Sequence, residues 1–592
     1  MERLFDCIET IGHKHPDNIL LASKENGIWK TLTAKDVLEK SKNLASGLIK
    51  SGIDTGNFDI AIQEKIGIVS PNRPEWVIAD LAVQQSGAIL TPIYPTIAPN
   101  EFVYILNQAG IKKVFFSDAT LANKFKDVFK EIPTLEHIYT FDKNNEYTHW
   151  LDLNGDTDSE LMRFETCKQI KSNHIATIIY TSGTTGQPKG VMLSHQNIIS
   201  NVRDTEPVFH FAYPGAKALS FLPLNHIFER TITYIYMNAG LSIYYAESMD
   251  TIGDNLKEVK PIVFTCVPRL LEKVYEKIIA KGAALTGIKK SLFFWAVDVA
   301  NQYDNSKQAS FWYNFKLKIA NKLIFSKWRE ALGGNVIAIV SGAAALQPKL
   351  ARVFTAAQLT VMEGYGLTET SPVISVNLLE SEGRRIGTVG LPLRNIEVKI
   401  AEDGEVLCKG PNVMVGYYKN PEQTAEVIDA DGWFHTGDIG TFEAGKFLKI
   451  TDRKKEIFKT SGGKYVAPQP IEGKLRESPF IEQVMVVGPE RKFVAALISP
   501  NFENAVATLK QHHQDVPNDK NSLISYPPLI ALIQKEIDRL NPNFGHIEQV
   551  KKFALVATEW SVDNGILTPK LSMRRKVINE KFSNEIESMY LS

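Results

Sequence analysis

The segment Tyr180 to Gly190, with the sequence YTSGTTGQPKG, has the clearest capacity for chemistry in the chain. Its eleven residues include three glycines, three threonines, one serine and Lys189. Glycines let backbone N–H groups turn towards an anion, hydroxyls add donors, and the lysine adds a positive charge. Because the lysine follows a proline and precedes a glycine, the segment is not a Walker A loop. The pattern predicts a loop that cradles phosphates, with an ordinary Gly/Thr-rich hairpin as the alternative.

The residues around this loop alternate between short apolar runs and helical patterns. Strands are predicted at 65–70, 88–94, 112–118, 176–183 and 261–268, and helices at 75–85 and 100–110. This alternation predicts a mostly parallel sheet with right-handed crossovers. The phosphate-type loop would then follow directly on a strand of that sheet.

The composition is typical of a globular protein. The chain has 592 residues, with 67 Lys+Arg against 67 Asp+Glu, and 44% of its residues are hydrophobic. Those values exclude a disordered or low-complexity chain, and the length suggests roughly four structural units. A net charge of zero argues against a nucleic-acid partner held by phosphate contacts.

The cysteines and the hydropathy pattern indicate a reducing compartment. The four cysteines are widely spaced and form no CxxC or Cys/His cluster, which disfavours disulfides and a zinc site. The first residues contain no apolar core of signal-peptide length, and no apolar window of about 18 residues predicts a membrane span. We expect a cytoplasmic protein, and peripheral contact with the inner face of the membrane remains open.

Four further motifs follow the glycine-rich segment in order. They are SGAAAL at 341–346, EGYGLTETSP at 363–372, GWFHTGDIG at 432–440 and DRKKEIFKTSGGKYVAPQPIE at 452–472. With 180–190 they resemble the signature motifs of the AMP-forming adenylating enzymes, a superfamily of acyl-CoA synthetases, firefly luciferase and nonribosomal peptide synthetase adenylation domains. The segments FLPLNHIFERT at 221–231 and FTCVPRLLEKVYEKI at 264–278 most resemble the bacterial long-chain fatty acyl-CoA synthetases. The resemblance covers nearly the whole chain.

The resemblance implies a luciferase-like α/β fold. Residues 1–451 would form an N-terminal AMP-binding domain of two stacked αβα subdomains plus a distorted β-barrel. Residues 452–456 would form a hinge, and residues 457–592 a smaller, mobile α+β lid domain. The active site would lie in the cleft between the two domains.

The resemblance also implies a reaction. ATP and a long-chain fatty acid would give an acyl-adenylate and pyrophosphate, and transfer to coenzyme A would give acyl-CoA and AMP. Mg²⁺ would offset the phosphate charge in the first step. Two alternatives remain: a relative that stops at the acyl-adenylate or loads a carrier protein, and a non-catalytic nucleotide-binding relative.

Site residues follow from the resemblance position by position. The magnesium positions would be Thr181 and Glu369, Thr368 would contact the α-phosphate, and Lys455 would be the hinge residue. His226 would line the acyl and adenylate site, with a histidine of the core as the alternative. The cofactor-binding set comprises the phosphate loop (Thr181, Ser182, Gly183, Thr184, Thr185, Gly186 and Lys189), the adenine slot (Gly342, Ala343, Ala344, Glu363, Gly364, Tyr365 and Gly366), the ribose contacts (Asp438 and Arg453) and a pantetheine loop (Ser461, Gly462 and Gly463).

One position near the C-terminus departs from the family. The long-chain enzymes have the pattern L-T-P-x-x-K, whose lysine contacts the carboxylate and the α-phosphate, and this chain has Ser572 there. Lys570 lies two residues earlier and would share a face with position 572 in an extended segment. We therefore predict that Lys570 is the catalytic lysine and that Arg574 is the second candidate. The alternative is a solvated Lys570 and an impaired first step.

The block 281–330 differs in composition from the rest. It holds ten aromatic residues and nine Lys/Arg against three Asp/Glu, with a helical pattern that breaks near 304–310. Packed helices with solvated lysines are the favoured interpretation, and a tunnel roof or a basic face against anionic lipid are the alternatives. Short β runs with glycine turns at 384–450 predict a small barrel or sandwich.

Overall fold

The computed structural model describes residues 1–181, 187–306, 308–561, 564–568 and 573–591. Two large mixed sheets carry most of the strands, and three smaller sheets follow them along the chain. The strands are β1 (Ile19–Glu25), β2 (Ile28–Thr33), β3 (Lys65–Val69), β4 (Ile89–Ile93), β5 (Lys113–Phe116), β6 (His137–Thr140), β7 (Thr148–His149), β8 (Ile175–Thr181), β9 (Lys189–Ser194), β10 (Lys217–Ser220), β11 (Ser242–Tyr245), β12 (Val263–Cys266), β13 (Ala338–Ser341), β14 (Thr360–Gly366), β15 (Val373–Val376), β16 (Leu391–Pro392), β17 (Glu397–Ile400), β18 (Glu405–Lys409), β19 (Gly416–Tyr417), β20 (Phe434–Glu443), β21 (Phe447–Arg453), β22 (Phe458–Lys459), β23 (Tyr465–Val466), β24 (Ile481–Val487), β25 (Val494–Pro500) and β26 (Val550–Leu555).

The α-helices cover the faces of these sheets. They are α1 (Asp6–Lys14), α2 (Ala34–Lys50), α3 (Pro74–Gln85), α4 (Pro99–Ala109), α5 (Ala119–Asn123), α6 (Thr157–Gln169), α7 (His195–Thr205), α8 (Ile227–Asn238), α9 (Ile252–Val259), α10 (Pro268–Ala283), α11 (Gly287–Asn301), α12 (Phe311–Ala320), α13 (Ser326–Ala331), α14 (Pro348–Ala356), α15 (Pro421–Val427), α16 (Pro468–Leu475), α17 (Phe502–Leu509), α18 (Lys520–Ile524), α19 (Pro527–Leu540), α20 (Arg575–Lys581) and α21 (Ser583–Ser588).

The first large sheet has eight strands in the order β19-β9-β8-β4-β3-β5-β6-β7. The six strands from β8 to β7 in that order run parallel, and β9 and β19 pair antiparallel at the edge. Strands β3, β4 and β5 are buried along their full length, as parallel strands covered on both faces require. The strands and helices predicted between 65 and 118 are confirmed.

The second large sheet has nine strands in the order β16-β15-β14-β13-β12-β10-β11-β1-β2. Its six central strands run parallel, and β2, β15 and β16 are antiparallel at the two edges. The strand predicted at 261–268 forms as β12, but it belongs to this sheet and not to the sheet of β3, β4 and β5. An apolar run indicates a buried strand, whereas long-range pairing decides which sheet the strand joins.

A buried ion pair joins helices of the two large sheets. Arg230 on α8 donates from Nε and Nη2 to Asp80 on α3 at 2.9 and 2.5 Å. The hydroxyl of Tyr234 donates to the same carboxylate at 2.6 Å, and Arg230 also reaches the hydroxyl of Thr177 on β8 at 2.8 Å. Because a buried charge is costly unless it is fully paired, this network fixes how the two sheets pack together.

Smaller sheets follow in the last third of the chain. Strands β17, β18, β20 and β21 form a four-stranded antiparallel sheet within the region predicted to be β-rich. After it come the β22–β23 hairpin and the three-stranded β24-β25-β26 sheet, which has its own hydrophobic core with α16, α17 and α19. This α+β unit is the counterpart of the predicted lid.

The aromatic and basic block forms helices, as predicted. Helices α11 and α12 lie on either side of the expected break. Among the described residues, no helix is both long enough and apolar enough to cross a membrane.

Candidate active site

The phosphate-type loop connects the two strands of a β-hairpin. Strands β8 and β9 pair antiparallel, and Thr181 lies opposite Lys189. Gly190 permits the close packing beside them, because a Cβ on it would lie 2.8 Å from Ile178 and 3.3 Å from Tyr418. The hairpin thus places a hydroxyl and an ammonium group at the two ends of the loop. The predicted loop residues Ser182, Gly183, Thr184, Thr185 and Gly186 lie outside the described residues.

Tyr417 on β19 connects the base of this hairpin to Glu369. Its hydroxyl donates to Glu369 Oε1 at 3.0 Å, and Lys189 Nζ lies 5.1 Å from the centroid of its ring. Burial, and after it the charge of Glu369, hold the pKa of Tyr417 well above its usual range, so the hydroxyl remains a donor at neutral pH. The backbone C=O of Glu369 accepts from the N–H of Met414 at 2.8 Å. The carboxylate is therefore connected through Tyr417 to the base of the β8–β9 hairpin.

The chain reaches Glu369 through a tight turn after β14. Glu369 lies in a short 3₁₀ helix, Thr368–Thr370, in which Thr368 is buried. A Cβ on Gly366 would lie 1.7 Å from the backbone oxygen of Pro372, so only glycine fits this approach of two backbone segments. The predicted Gly366 therefore shapes the turn that presents Thr368 and Glu369.

The predicted adenine slot is a pair of strand ends with small residues. Strands β13 and β14 run parallel, so Ser341 lies opposite Glu363 and the residues after each strand end are neighbours. Gly342 is buried, and a Cβ on it would lie 3.3 Å from the ring of Phe228. Ala343 and Ala344 are exposed. Ala343 has a φ of 67°, a left-handed conformation that is strained for alanine. Such strain is concentrated at ligand sites, which fits an exposed ledge for a flat base.

Glu363 on β14 forms a hydrogen bond to the segment that follows β13. Its Oε1 accepts from the backbone N–H of Leu346 at 3.1 Å. Burial raises the pKa of Glu363 to about 8, so the carboxyl is mostly protonated at neutral pH. Glu363 therefore acts in this structure as a buried hydrogen-bonding group. A Cβ on the neighbouring Gly364 would lie 3.5 Å from the Ser375 carbonyl oxygen.

The predicted ribose acid lies at the centre of a polar triad. Asp438 on β20 is directly opposite Arg453 on β21, and Arg453 Nε lies 3.1 Å from Asp438 Oδ1. The hydroxyl of Tyr365 donates to Asp438 Oδ2 at 2.7 Å. Burial raises the pKa of Asp438, and the charge of Arg453 opposes this rise. Tyr365 therefore connects the adenine ledge to the acid.

His226 acts as a helix cap in this structure. Its Nδ1 accepts from the backbone N–H of Phe228, at 3.1 Å, at the start of α8. The capping contact gives His226 a structural function at the start of α8. Its predicted place at the acyl site stays a prediction.

The predicted hinge is a turn tied to both neighbouring units. Lys455 is exposed in the turn between β21 and β22. The residue before it, Lys454, pairs with Glu405 at 2.8 Å, and the residue after it, Glu456, pairs with Arg575 at 3.0 Å. Lys455 therefore lies between an ion pair to Glu405, earlier in the chain, and an ion pair to Arg575, near the C-terminus.

The C-terminal unit also docks on α10. Arg269 pairs with Glu482 of β24 and, at 2.9 Å, with Glu272 on its own helix. Arg476 approaches the same Glu272 at 3.7 Å. Sequence reasoning missed this contact, because four charged side chains from two distant segments of the chain give no signal until the two units meet.

The predicted pantetheine loop is exposed at the surface. Ser461, Gly462 and Gly463 are exposed between β22 and β23, and Gly463 has a φ of 75°. The N–H of Ser461 donates to the Arg491 carbonyl at 2.9 Å. The predicted catalytic lysine, Lys570, and Ser572 lie outside the described part of the chain.

Tyr417 is the functional candidate that sequence reasoning missed. The segment around it, VGYYKN at 415–420, resembles an ordinary turn with aromatic residues and has no chemical signature. Its position appears only when the edge strand β19 pairs with β9.

The donors at the site fit a magnesium ion held mostly by phosphates. Glu369 provides one carboxylate and Thr181 one hydroxyl, both oxygen ligands of the kind that Mg²⁺ prefers. Across the described ranges, no cluster of three or more His, Cys, Asp or Glu residues forms a metal site. A nucleotide would therefore have to supply further oxygen ligands.

Comparisons with known proteins identify the family of the chain. The family model of AMP-binding enzymes matches residues 8–418, and that of the AMP-binding enzyme C-terminal domain matches residues 455–592. The chain is 32% identical over 582 residues to the long-chain-fatty-acid–CoA ligase FadD15 of Mycobacterium bovis, covering 97% of this chain and 95% of that protein. It is 33% identical to long-chain-fatty-acid–CoA ligase 5 of Rattus norvegicus, covering 96% and 85%.

Solved structures share the fold at lower identity. The adenylation domain of the carboxylate reductase from Mycobacterium chelonae matches with a TM-score of 0.76 at 20% identity, covering 100% of this chain and 91% of that one. The A domain of the carboxylic acid reductase from Segniliparus rugosus, in complex with AMP and a carboxylic acid, matches with a TM-score of 0.73 at 19% identity, covering 99% and 94%. The chain is a member of the AMP-binding enzyme family, with the α/β architecture of the adenylating enzymes.

Proposed function

We propose that the protein is a long-chain fatty acid–CoA ligase that forms AMP. One observation carries the proposal: the end of β14 leads to both candidate nucleotide contacts. Tyr365 bonds to Asp438 at 2.7 Å, and Glu369, four residues later, accepts from Tyr417 at 3.0 Å. The proposed ribose acid, Asp438, is thereby bonded to a residue four positions before the proposed phosphate-side carboxylate, Glu369. The full-length similarity to proteins named long-chain-fatty-acid–CoA ligases supports the choice of acid.

The first half-reaction joins the acid to the nucleotide. A carboxylate oxygen attacks the α-phosphorus of ATP, the bond to the bridging oxygen breaks, and pyrophosphate leaves. Negative charge accumulates on the phosphates, so cations and hydrogen-bond donors already in place lower the barrier. We assign this role to the hairpin loop with Lys189 and to Thr368, while Asp438 and Arg453 hold the ribose.

Magnesium is proposed as the metal of this step. Glu369 and Thr181 would hold it, and when bound it would offset the negative charge of the phosphates. The hydrogen bond from Tyr417 orients the Glu369 carboxylate in this structure.

The second half-reaction transfers the acyl group to coenzyme A. The thiol loses its proton to solvent, its sulfur attacks the acyl carbon, the bond from that carbon to the phosphate oxygen breaks, and AMP leaves with that oxygen. We propose that residues 452–456 are the hinge between domains 1–451 and 457–592, with Lys455 at its centre, and that Ser461, Gly462 and Gly463 pass the pantetheine arm. The end of β21 at Arg453 and the exposed turn after it support this boundary.

The catalytic lysine and the working location complete the proposal. We assign the contact to the acid and the α-phosphate to Lys570, on sequence grounds. His226 is proposed beside the acyl group. The enzyme would work in the cytoplasm at the inner face of the membrane, where a long-chain acid accumulates because its chain partitions into lipid.

The test is a competition among acids. The purified protein is incubated with ATP, Mg²⁺, coenzyme A and equimolar short, medium, long-chain and aromatic acids, and products are identified by mass spectrometry. Long-chain acyl-CoA together with AMP is the expected result. Acyl-adenylate without thioester would indicate a different acceptor, and the thioester of a short or aromatic acid would refute the long-chain assignment. No product from folded protein would favour the non-catalytic alternative.

The Lys570→Ala variant tests the assignment of the lysine. Pyrophosphate formation should fall at least about tenfold, since one charge-assisted contact to the reacting groups is lost. Lys576→Ala, in the nearby helix α20, is the matched control. Equal activity of Lys570→Ala and the wild type would overturn the assignment.

A further inference from the structure

Helix α12 carries an exposed cluster of aromatic side chains. Phe311, Trp312 and Phe315 are 76%, 69% and 50% exposed. The ring centroids lie 5.8 Å apart for Phe311 and Trp312 and 6.3 Å apart for Trp312 and Phe315. Single exposed apolar residues are common on proteins, but a contiguous aromatic patch usually marks an interaction site.

The cluster continues as a stripe along the outer side of the helix. Leu323 lies in the π-helical segment Asn321–Phe325 that continues α12, and it is 44% exposed. The opposite side is already packed, because Ala320 is buried and the hydroxyl of Tyr313 donates to the Val299 carbonyl of α11 at 3.1 Å. The helix is thus fixed to the protein by one face, and its outward face carries the aromatic cluster.

Lysines border this stripe. Lys316, Lys318 and Lys322 are exposed, and no carboxylate in the part of the chain that the structure describes pairs with any of them. An apolar strip with unpaired lysines on its borders matches the two parts of an anionic membrane surface, an apolar interior and negatively charged headgroups. We call Phe311, Trp312, Phe315, Leu323 and these three lysines the α12 surface.

We propose that the α12 surface docks on an anionic lipid bilayer, with its aromatic rings in the headgroup region and its lysines on the lipid phosphates. Aromatic rings favour that depth, and each nearby lysine strengthens binding. A second copy of the chain is a poorer occupant, because a two-fold contact through this surface would bring the lysine borders together. The inference deepens the membrane location in the proposed function, but it does not depend on the reaction.

The experiment is co-sedimentation of the full chain with vesicles of phosphatidylcholine and phosphatidylglycerol. The variant replaces the three aromatic residues Phe311, Trp312 and Phe315 by serine. The matched control replaces three apolar residues of α6 that have similar exposures (Leu161 61%, Met162 57% and Phe164 53%) by serine. The neighbouring charges on α6 are mixed, because Asp158, Glu160 and Glu165 lie on the same helix as Lys168, which pairs with Glu165. Both variants must retain the wild-type melting temperature.

Binding of the aromatic variant should weaken at least tenfold, while the α6 control binds like the wild type. Charge reversal at Lys316, Lys318 and Lys322 should weaken binding about tenfold or more, with little further effect of added salt. Wild-type binding should also fall on pure phosphatidylcholine. Equal binding of wild type and aromatic variant would overturn the proposal. So would a wild-type dimer in sedimentation velocity that the aromatic variant converts to a monomer without any change in vesicle binding.

These outcomes are separable from those of the proposed reaction. Turnover of an acid in the absence of vesicles reports the chemistry alone, and the aromatic variant should retain it. Loss of vesicle binding with full turnover supports the α12 surface. Intact vesicle binding without any turnover would refute the proposed function and leave the surface standing.

Discussion

Replacement of Tyr417 by phenylalanine removes one oxygen atom from the candidate active site. The ring that Lys189 approaches at 5.1 Å is kept, and only the 3.0 Å hydrogen bond to Glu369 is lost. The variant therefore isolates the positioning of one carboxylate. Because burial and the charge of Glu369 hold the pKa of Tyr417 above its usual range, the wild-type hydroxyl donates at every pH at which the enzyme would be assayed.

The size of the effect follows from the type of bond. A hydrogen bond to a charged group contributes about 1.5–3 kcal/mol, which corresponds to roughly 10- to 150-fold in rate. Glu369 is partly exposed, so water replaces part of the lost bond in the variant. We therefore expect a decrease of about tenfold in kcat/KM for ATP, with a higher Mg²⁺ requirement.

The assay is fatty-acid-dependent exchange of pyrophosphate into ATP without coenzyme A, measured over a range of Mg²⁺ concentrations. Tyr418→Phe is the control, because in the described part of the chain the hydroxyl of Tyr418 makes no hydrogen bond to a carboxylate. An unchanged Mg²⁺ dependence in Tyr417→Phe would refute the proposed role. An equal loss in Tyr418→Phe would indicate general damage to the segment around residues 417 and 418.

Three further predictions concern the nucleotide contacts and the fold. Asp438→Asn should weaken AMP binding about tenfold or more in calorimetry, since the carboxylate that pairs with Arg453 at 3.1 Å is lost, and unchanged affinity would contradict the assignment. Gly366→Ala should lower the melting temperature or prevent folding, because its Cβ would lie 1.7 Å from the Pro372 oxygen; a wild-type melting temperature would contradict this. Glu363 has its pKa raised to about 8 by burial, so the native state binds more protons than the unfolded state and stability falls as pH rises from about 4.5 to 8. Glu363→Gln should flatten that fall in urea unfolding, and an unchanged pH profile would refute the assigned protonation.

Local pattern was sufficient to predict much of the fold. The apolar runs at 65–70 and 88–94 and the helix between them have the predicted type and order, because burial on both faces leaves a strong signal in sequence. The pairing of β12 with the second sheet was beyond local reasoning. It depends on contacts between residues distant in the chain, such as Phe264 with Ile339, which no single segment reveals.

Residues of the candidate site that lie in a distinctive motif could be predicted from the sequence. Residues whose role depends only on their position in the folded chain could not. The motif around Asp438 predicted a carboxylate that contacts the ribose, and the register of β20 with β21 places Arg453 opposite this carboxylate. Tyr417 carries no motif, and only the pairing of an edge strand brings it to Glu369. The capping role of His226 likewise emerges only from the start of α8.

The most direct test of the central claim follows the oxygen atoms of the acid. Hexadecanoic acid labelled with oxygen-18 in both carboxylate positions is turned over with ATP, Mg²⁺ and coenzyme A, and the nucleotide product is analysed by mass spectrometry. Attack of the carboxylate on the α-phosphorus predicts palmitoyl-CoA and AMP in equal amounts, with one labelled oxygen in each AMP. Label in inorganic phosphate, with ADP as the nucleotide product, would mean an acyl-phosphate route and would contradict the account.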